Sequence, residues 1–296
     1  MDAESKIPPT CYVIITPVRD EEQHLEDTIR SVLAQTILPA EWVIVDDGST
    51  DGTGRILERY ARQHAWISVI HLADRGRRDA DTGAVGAFLA GYRAVRVADW
   101  EFLVNLDADL VLDPDYFEKC FAEFCGDPRL GIGGGTLYHR NGAGQPVIEP
   151  CPRSHVRGAT KIFRRACWEA FGGLVEVPGW DTLDEIKANM AGWRTGSFPH
   201  VRALHKRPTG AAGGSWRDAV KNGRCDYFLG YHPLFMLLKC FRRIFKRPFV
   251  IDGLGHLWGY VGSYLRRQPQ LANRSVIRYV RQQQLRRLIF AESLWK

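Results

Sequence analysis

The sequence lacks a long uninterrupted apolar run, and this absence limits the classes of protein it can belong to. No stretch reaches the roughly eighteen consecutive apolar residues expected of a membrane-spanning helix. The first nine residues are polar and lack the apolar core of a secretory signal. We therefore expect a cytoplasmic protein that neither spans a membrane nor is secreted.

The cysteines lack any ordered spacing. There are seven, an odd number, and none of their separations matches a metal-binding pattern. This usage favours free thiols in a reducing cytosol over a disulfide framework. Internal repeats and low-complexity tracts are also missing. A chain of 296 residues with 45% hydrophobic content can bury a sizeable core, as one large domain or as one domain with an appendage.

Negative charge is scarce in the last quarter of the chain. Residues 221–296 contain fifteen Lys and Arg but only three acidic residues, which gives a net charge of +12. Because the whole chain carries +6, the preceding residues carry a net charge of −6. An acidic body with a basic C-terminal region is typical of a protein that approaches an anionic surface, either nucleic acid or the inner leaflet of a membrane.

Strand and helix patterns alternate through the first half of the sequence. Apolar, β-branched runs predict strands at 11–16, 41–46, 67–71 and 101–106. Helical patterns at 21–35, 51–64 and 83–97 separate them. This alternation predicts an α/β fold with a mostly parallel sheet and covering helices. Further along, the sequence predicts a helix at 114–124, a strand at 130–137, a strand and helix within 157–172, a helix at 181–191 and a strand at 197–204.

Two of the predicted strands end abruptly in paired carboxylates. One reads Val-Ile-Val followed by Asp46 and Asp47, and the other leads into Asp107 and Asp109. Polar residues at the carboxyl ends of parallel strands lie where ligands bind in open α/β sheets. Asp107 and Asp109 share a face if the segment is extended. Two such carboxylates suit a hard divalent cation that is bound together with substrate phosphates, and so predict a nucleotide diphosphate site.

Together these motifs resemble those of inverting glycosyltransferases of family 2, which have the GT-A fold. The similarity covers the opening strand and its continuation, residues 12–22, then the Asp-Asp-Gly-Ser turn at 46–49 and the Asp-x-Asp motif at 107–109, in the family's order. It extends over roughly the first two hundred residues. The resemblance implies a GT-A catalytic domain at 1–212, followed by a helical, basic region at 213–296.

The resemblance also assigns roles at the donor site. Asp109 would be the direct ligand of Mn²⁺ or Mg²⁺, and Asp107 would contact the ribose or the metal. Asp47 would accept a hydrogen bond from the base of the nucleotide, with a UDP-sugar favoured as donor. The same nucleotide crevice would be lined by Thr16, Pro17 and Glu21. The alternatives are that the Asp-x-Asp acids cap the next helix and that Asp47 is an ordinary turn residue.

The general base must come from the second half of the chain. The family places it at the start of a helix, eleven residues before a glycine, and Asp181 stands eleven residues before Gly192. Trp180 replaces the acidic residue that usually precedes the base. Asp184 and Glu185, one turn further on, are competing candidates, and Asp181 could instead only cap its helix.

A late histidine and several basic residues are further candidates. In GT-A enzymes a His after the last catalytic strand sometimes completes the metal site, and His205 stands at that position, although a lone His is as often structural. Lys206 or Arg207 could hold the diphosphate. The other candidates for diphosphate contacts are Arg75, Arg77 and Arg78. A cluster of solvated charges explains these residues equally well.

The resemblance and the charge distribution together predict a metal-dependent inverting glycosyltransferase. It would transfer a sugar to a lipid-linked or glycan acceptor while bound to the inner face of the cell membrane. The apolar segments of 227–296, flanked by Lys and Arg, suit helices that lie in an anionic membrane interface, or else a helical layer packed on the catalytic domain. One alternative is a sugar-nucleotide nucleotidyltransferase, but the first strand lacks the Gly-rich loop which that class has. The other is a nucleic-acid-binding protein, for which no recognition motif is present, so we expect no nucleic-acid partner.

Overall fold

Parallel strands rich in Val and Ile form the centre of the protein. In the computed structural model, which describes residues 10–74, 76, 82–207, 214–245, 249–291 and 293, the first strands lie close to their predicted positions. They are β1 (Tyr12–Val18), β2 (Glu41–Asp46), β3 (Ile67–His71) and β4 (Phe102–Leu106). Every residue of β2 and β4 is buried, as expected of strands that are covered on both faces.

The second half of the sheet is mixed. Its strands are β5 (Leu110–Leu112), β6 (Leu130–Arg140), β7 (Pro146–Ile148), β8 (Thr160–Arg164) and β9 (Arg194–His205). The described strands pair in the order β3-β2-β1-β4-β8-β6-β9-β5, and β7 pairs with β6. The pairings among β1 to β4 are parallel, and so is β6 with β9, whereas β8 is antiparallel to both neighbours and β5 is antiparallel to β9.

Helices cover both faces of this sheet. They are α1 (Leu25–Leu33), α2 (Thr53–Gln63), α3 (Gly83–Ala94), α4 (Tyr116–Gly126) and α5 (Arg165–Phe171). On one face, the Tyr12 ring packs 4.9 Å from the rings of Phe117 and Phe121 of α4. On the other face, α3 approaches so closely that a Cβ at Gly91 would lie 2.7 Å from Ile15 and 2.8 Å from Val45. Alternate residues of β1 therefore serve two cores, because side chains of a strand alternate between its faces.

The remaining helices form a second unit. They are α6 (Trp180–Met190), α7 (Ser215–Phe228), α8 (Pro233–Ile244), α9 (Ile251–Leu265) and α10 (Arg274–Leu288). The chain divides into one unit of residues 1–176 and 191–207 and another of 177–190 and 208–296. The sequence placed α6 in the catalytic domain 1–212. In the structure its Leu183 and Ile186 are buried in one cluster with Tyr227 and Val280, so α6 packs with the C-terminal helices.

All seven cysteines are free thiols. Within the described residues, no helix combines the length and apolar character that a membrane-crossing segment needs. The polar residues 1–9 and the predicted diphosphate contacts Arg75, Arg77 and Arg78 lie outside the described part of the chain.

A buried carboxylate fixes the connection that follows α3. Glu41, 2% exposed at the start of β2, accepts hydrogen bonds from Arg96 N at 2.7 Å, Arg96 Nε at 2.9 Å and Val97 N at 3.1 Å. Burial opposes its ionisation, but these donors outweigh the burial and lower the pKa of Glu41 below its ordinary value. The ionised carboxylate thus joins the α3–β4 connection to the sheet.

We expect Glu41→Gln to lower the free energy of unfolding by about 2 kcal/mol at pH 7, because charged hydrogen bonds to a buried group are lost. A lowered pKa gives stability that is present above the ordinary carboxyl pKa and lost as the pH falls through the folded value, so the difference should shrink below about pH 4. Urea denaturation at pH 7 and below about pH 4 measures this difference in the free energy of unfolding between the variant and the wild type. Glu169→Gln, which removes an exposed pair with Arg165, is the control and should change little. A difference that persists unchanged in acid would contradict this role for the carboxylate.

Candidate functional site

The carboxyl ends of β1, β2 and β4 lie at one edge of the sheet, because β1 is parallel to both neighbours. The turn after β2 is tied to the end of β1 by the bond from Asp47 N to Val18 O, at 2.8 Å. Arg19 Nη1 donates to Asp47 O at 2.7 Å and so holds the same turn from the other side. Asp47 is therefore fixed at the edge where the sequence predicts the nucleotide base.

The two acids of the Asp-Asp-Gly-Ser turn differ in their contacts. Asp46 Oδ1 accepts a hydrogen bond from Ser49 N at 2.9 Å, and its Oδ2 lies 2.9 Å from Nδ1 of His71. Gly48 has φ +74°, a left-handed conformation that suits glycine, and a Cβ there would lie 2.5 Å from Asp74 Cα. Asp46 therefore builds the turn, and Asp47 is the acid of the pair that the sequence assigns to the nucleotide base.

Asp109 lies beside residues from the end of β9. The short strand β5 pairs with β9 so that Leu110 faces His205, and Lys206 N donates to Asp109 O at 2.9 Å. As a result, Asp109 Oδ2 is 3.5 Å from Nε2 of His205 and 3.2 Å from Nη2 of Arg207. The pairing of two strands nearly a hundred residues apart thus assembles this part of the site.

Arg207 joins two acids of the site. Besides Asp109, it forms a close ion pair with Glu21, which lies just after β1. Glu21 is buried, and its backbone N–H donates to Thr53 Oγ1 at 2.9 Å. The guanidinium thereby links the segments that follow β1 and β4, both of which the sequence assigned to the donor crevice.

A carboxylate that the sequence analysis missed orients His205. Glu149 Oε1 lies 2.8 Å from Nδ1 of His205, and both side chains are buried. Although burial opposes its protonation, the carboxylates of Asp109 and Glu149 raise the pKa of His205 to about 9. Residue 149 follows β7, a strand of three exposed residues in a turn-rich loop, so the sequence held no signal for it.

The two acids of the Asp-x-Asp motif have opposite pKa shifts. Burial, followed by the charge of Asp109, raises the pKa of Asp107 to about 7. For Asp109, burial acts in the same direction, but His205 and Arg207 outweigh it and lower the pKa. The two carboxylates therefore repel each other across the site, and a bound cation would relieve that repulsion.

The donor set fits a cation that is shared with a substrate. In the part of the chain that the structure describes, no three His, Cys, Asp or Glu side chains come together as a metal site. Asp109 and His205 still present an oxygen and a nitrogen 3.5 Å apart, and Glu149 on the far ring nitrogen matches the support that metal-binding histidines usually have. Because a metal binds only the neutral ring, a cation here would have to displace the proton that the raised pKa keeps on His205. Mg²⁺ typically binds one or two carboxylates and takes further ligands from substrate phosphates and water.

The other predicted crevice residues take different positions. Thr16 is fully buried, and its hydroxyl accepts a hydrogen bond from Trp42 Nε1 at 2.9 Å, so it packs beneath the edge. Pro17, partly buried, pairs with Val45 in the parallel ladder. Their part in nucleotide binding stays a prediction.

The candidate bases all lie in α6, within the helical unit. Asp181 is in the first turn and is partly exposed, whereas Asp184 and Glu185 are buried at 2% and 4% exposure. Asp184 Oδ1 accepts a hydrogen bond from Glu185 N at 2.6 Å. Burial holds the pKa of Tyr231 well above its ordinary value, and nearby negative charges raise it further. The charges of Asp181 and Glu185 are among them. Asp181 is thus the most accessible of the three carboxylates.

Comparisons with known proteins identify the family of the chain. The family model described as Glycosyl transferase family 2 matches residues 13–161. A poly-beta-1,6-N-acetyl-D-glucosamine synthase of Staphylococcus epidermidis is 29% identical over 227 residues, which are 68% of this chain and 51% of the relative. The synthase of Staphylococcus aureus (strain COL) is 28% identical over the same length. The chain thus spans about half the length of these curated relatives.

Solved structures show the same fold. A mannosyltransferase of Pyrobaculum calidifontis in complex with GDP-Man and Mn²⁺ matches with a TM-score of 0.54 and 19% identity, over 97% of this chain and 79% of that one. GalNAc-T7 with UDP, GalNAc and Mn²⁺ matches with a TM-score of 0.61 and 12% identity, over 97% of this chain and 55% of that one. The predicted GT-A fold, a mostly parallel sheet with C-terminal helices, is confirmed.

We expect Asp46→Ala to lower the free energy of unfolding by about 2 kcal/mol, because the part-buried Ser49 amide and His71 lose their acceptor. Urea denaturation measures the change. Asp99→Ala, which removes an exposed carboxylate from the loop before β4, is the matched control and should stay within about 0.5 kcal/mol of the wild type. Equal stability of the two variants would remove the structural role assigned to Asp46.

Proposed function

The chain belongs to glycosyl transferase family 2, and we propose that it is a metal-dependent, inverting glycosyltransferase. It moves a sugar from a nucleotide diphosphate sugar to a lipid-linked or polysaccharide acceptor at the cytoplasmic face of the membrane. The observation that carries the proposal is the cluster of Asp109, His205 and Arg207 at the edge where Asp47 is also fixed.

The donor lies across the carboxyl ends of β1, β2 and β4 in this proposal. Asp47 accepts a hydrogen bond from the base, and Asp107 contacts the ribose or the cation. The similar mannosyltransferase and GalNAc-T7 structures contain GDP-Man and UDP with Mn²⁺, respectively. The crevice lies in the usual position for ligands in an open α/β sheet, which supports the same placement here.

Asp109 and His205, with Asp107, would hold Mn²⁺ or Mg²⁺. When bound, the cation neutralises charge that develops on the leaving diphosphate. Glu149 keeps the His205 ring in one orientation, and Arg207 holds Asp109 and Glu21 in place. Arg207 is also partly exposed and can approach a phosphate oxygen, so it adds a positive charge on the donor side.

Asp181 is the general base in this proposal. Inversion requires that the acceptor hydroxyl lose its proton as it attacks the anomeric carbon, and a carboxylate within hydrogen-bond reach can take that proton. Asp181 is supported by its place in the first turn of α6 and by its partial exposure, whereas Asp184 and Glu185 are buried.

We predict that Asp109→Asn lowers sugar transfer by at least about a hundredfold, because a metal acting as a Lewis acid is worth several kcal/mol. Binding is measured separately by thermal shift with UDP and GDP, with and without Mn²⁺, since ligands that bind the native state raise its stability. The wild type should be stabilised by a nucleotide only when Mn²⁺ is present, and Asp109→Asn should lose this effect while it remains folded. Asp99→Asn is the control. Full activity of Asp109→Asn would remove the central claim.

A second prediction concerns the base. Asp181→Asn should keep its Mn²⁺-dependent nucleotide binding and lose turnover by roughly a hundredfold or more, the usual scale for a general base. Asp184→Asn and Glu185→Gln are the comparison variants in the same helix. If one of them, rather than Asp181→Asn, loses turnover while its folding and donor binding are preserved, the base is assigned to the wrong residue.

A further inference from the structure

Helix α8 exposes a continuous apolar stripe. Exposed side chains recur at the three- and four-residue spacing of one helical face. They are Leu234, Leu237, Leu238, Phe241 and, just after the helix, Phe245. Phe241 and Phe245 are 59% and 66% exposed, and their rings are 5.3 Å apart. Large apolar side chains at this exposure are expected where a surface meets another apolar phase.

Helix α9 buries three of its glycines against neighbouring helices and exposes several large apolar residues. A Cβ at Gly253 would lie 2.7 Å from Cys240 O of α8, and one at Gly259 would lie 2.1 Å from Val220 O of α7. Glycine at these positions lets the backbones of three helices approach closely, as small residues do in membrane bundles. The outward positions are instead apolar and exposed at Ile251, Leu254, Trp258, Val261 and Leu265.

In helices α7 to α10, the acids are neutralised or half-buried; the other acids that the structure describes in this unit, Asp181, Asp184 and Glu185, lie in α6. In residues 214–245, 249–291 and 293, the acidic residues are three. Asp226 and Asp252 each accept an ion pair at 2.6 Å, from Lys239 and Arg243 respectively. Asp218 lies half-buried in the first turn of α7, where the helix dipole favours a negative charge. The outward charge of α7 to α10 is therefore positive.

A basic, aromatic cleft adjoins the stripe of α9. It has a volume of about 480 Å³ and is lined by Trp216, Arg217, Val220, Lys221, Arg224 and Trp258. The three cations follow one another at about one-turn spacing on α7, and Arg217 and Arg224 form no ion pair with any residue that the structure describes. Trp258 belongs both to the cleft and to the apolar stripe, so the two features are continuous.

We propose that this unit binds the surface of an anionic phospholipid bilayer and inserts into one leaflet without crossing the membrane. The stripes of α8 and α9 enter the acyl boundary, and the cations of α7 take the phosphate of an anionic lipid in the cleft between the two tryptophans. An amphipathic surface with Lys and Arg beside Trp, Phe and Leu is the chemistry that binds such an interface. This inference deepens the membrane location of the proposed function and rests on it for its biological setting, but its test does not need catalysis.

Charge favours lipid over a second copy of the chain. In a two-fold dimer the same patch meets itself, so the α7 cations of one copy would approach those of the other. Like charges brought together in an interface are strongly unfavourable. An anionic leaflet instead presents the opposite charge over the whole surface.

The test measures co-sedimentation of the full chain with vesicles, without donor or acceptor. One set of vesicles is phosphatidylcholine alone, and the other contains phosphatidylglycerol. We expect preferential binding to the anionic vesicles. Changing Arg217, Lys221 and Arg224 together to Gln should lower the partition coefficient by roughly a hundredfold, about fivefold for each charge. Phe241→Ser with Trp258→Ser should remove the fraction of bound protein that stays on the vesicles at high salt. Salt screens the attraction between charges but does not release inserted apolar groups.

Matched controls come from exposed positions of the other unit. Arg62, Arg93 and Arg129 changed together to Gln remove the same charge, and Leu38→Ser with Val175→Ser removes two exposed apolar side chains. Both control variants should bind vesicles like the wild type. Transfer to a short soluble acceptor should be unchanged in all four variants, so a failed membrane claim can be told from a failed catalytic claim.

Three outcomes would overturn the proposal. The first is wild-type protein that stays in the supernatant with anionic vesicles at low salt. The second is full release by inorganic phosphate at constant ionic strength, which would make the cleft a site for free anions. The third is a change of oligomeric state, measured by sedimentation velocity, in the Phe241 and Trp258 variant with no change in vesicle binding. That result would assign the stripes to self-association.

Discussion

The antiparallel pairing of β5 with β9 is the interaction on which the rest of the candidate site depends. It involves three residues of β5, yet it places Asp109 within reach of both His205 and Arg207. Without this pairing, Asp47 and Asp109 would still lie at the edge of the parallel half of the sheet. They would then have no basic partner from the end of the domain. The candidate site is thus built on the parallel half of the sheet and is completed by one long-range strand contact.

The sequence predicted the parallel half well, because its strands are continuous apolar runs with polar ends. β2 and β3 lie where they were expected, and Asp47 and Asp109 lie at the predicted edge. The short strands β5 and β7 were missed, since three residues carry no usable periodicity and depend on a partner strand for their stability. For the same reason Glu149 was missed, although it holds His205. The sequence predicted helix α6 but not that it packs with the C-terminal helices. Leu183 and Ile186 show that one face of the helix is apolar, but they do not show which residues cover that face.

The acids described above differ in their surroundings: some accept hydrogen bonds within the fold, and others belong to the candidate site. Glu41 and Asp46 are buried with full sets of donors from the backbone and from side chains, so their charge is used within the fold. Asp107, which is partly exposed, has a raised pKa because of desolvation and the neighbouring carboxylate of Asp109. A raised pKa at the end of a sheet strand, with a specific charge partner, marks a candidate functional site, and motif similarity alone does not supply that distinction.

The discontinuous makeup of the catalytic unit has a consequence for synthesis on the ribosome. Asp109 and Arg207 are separated by 98 residues, and α6, which packs in the other unit, intervenes between β8 and β9. At ordinary translation rates, that stretch takes about 5–20 s to emerge. During this interval, β1 to β4 can pair while Glu21 and Asp109 stay exposed to water without their arginine. A nascent chain can therefore carry the paired parallel strands well before it has an assembled candidate site.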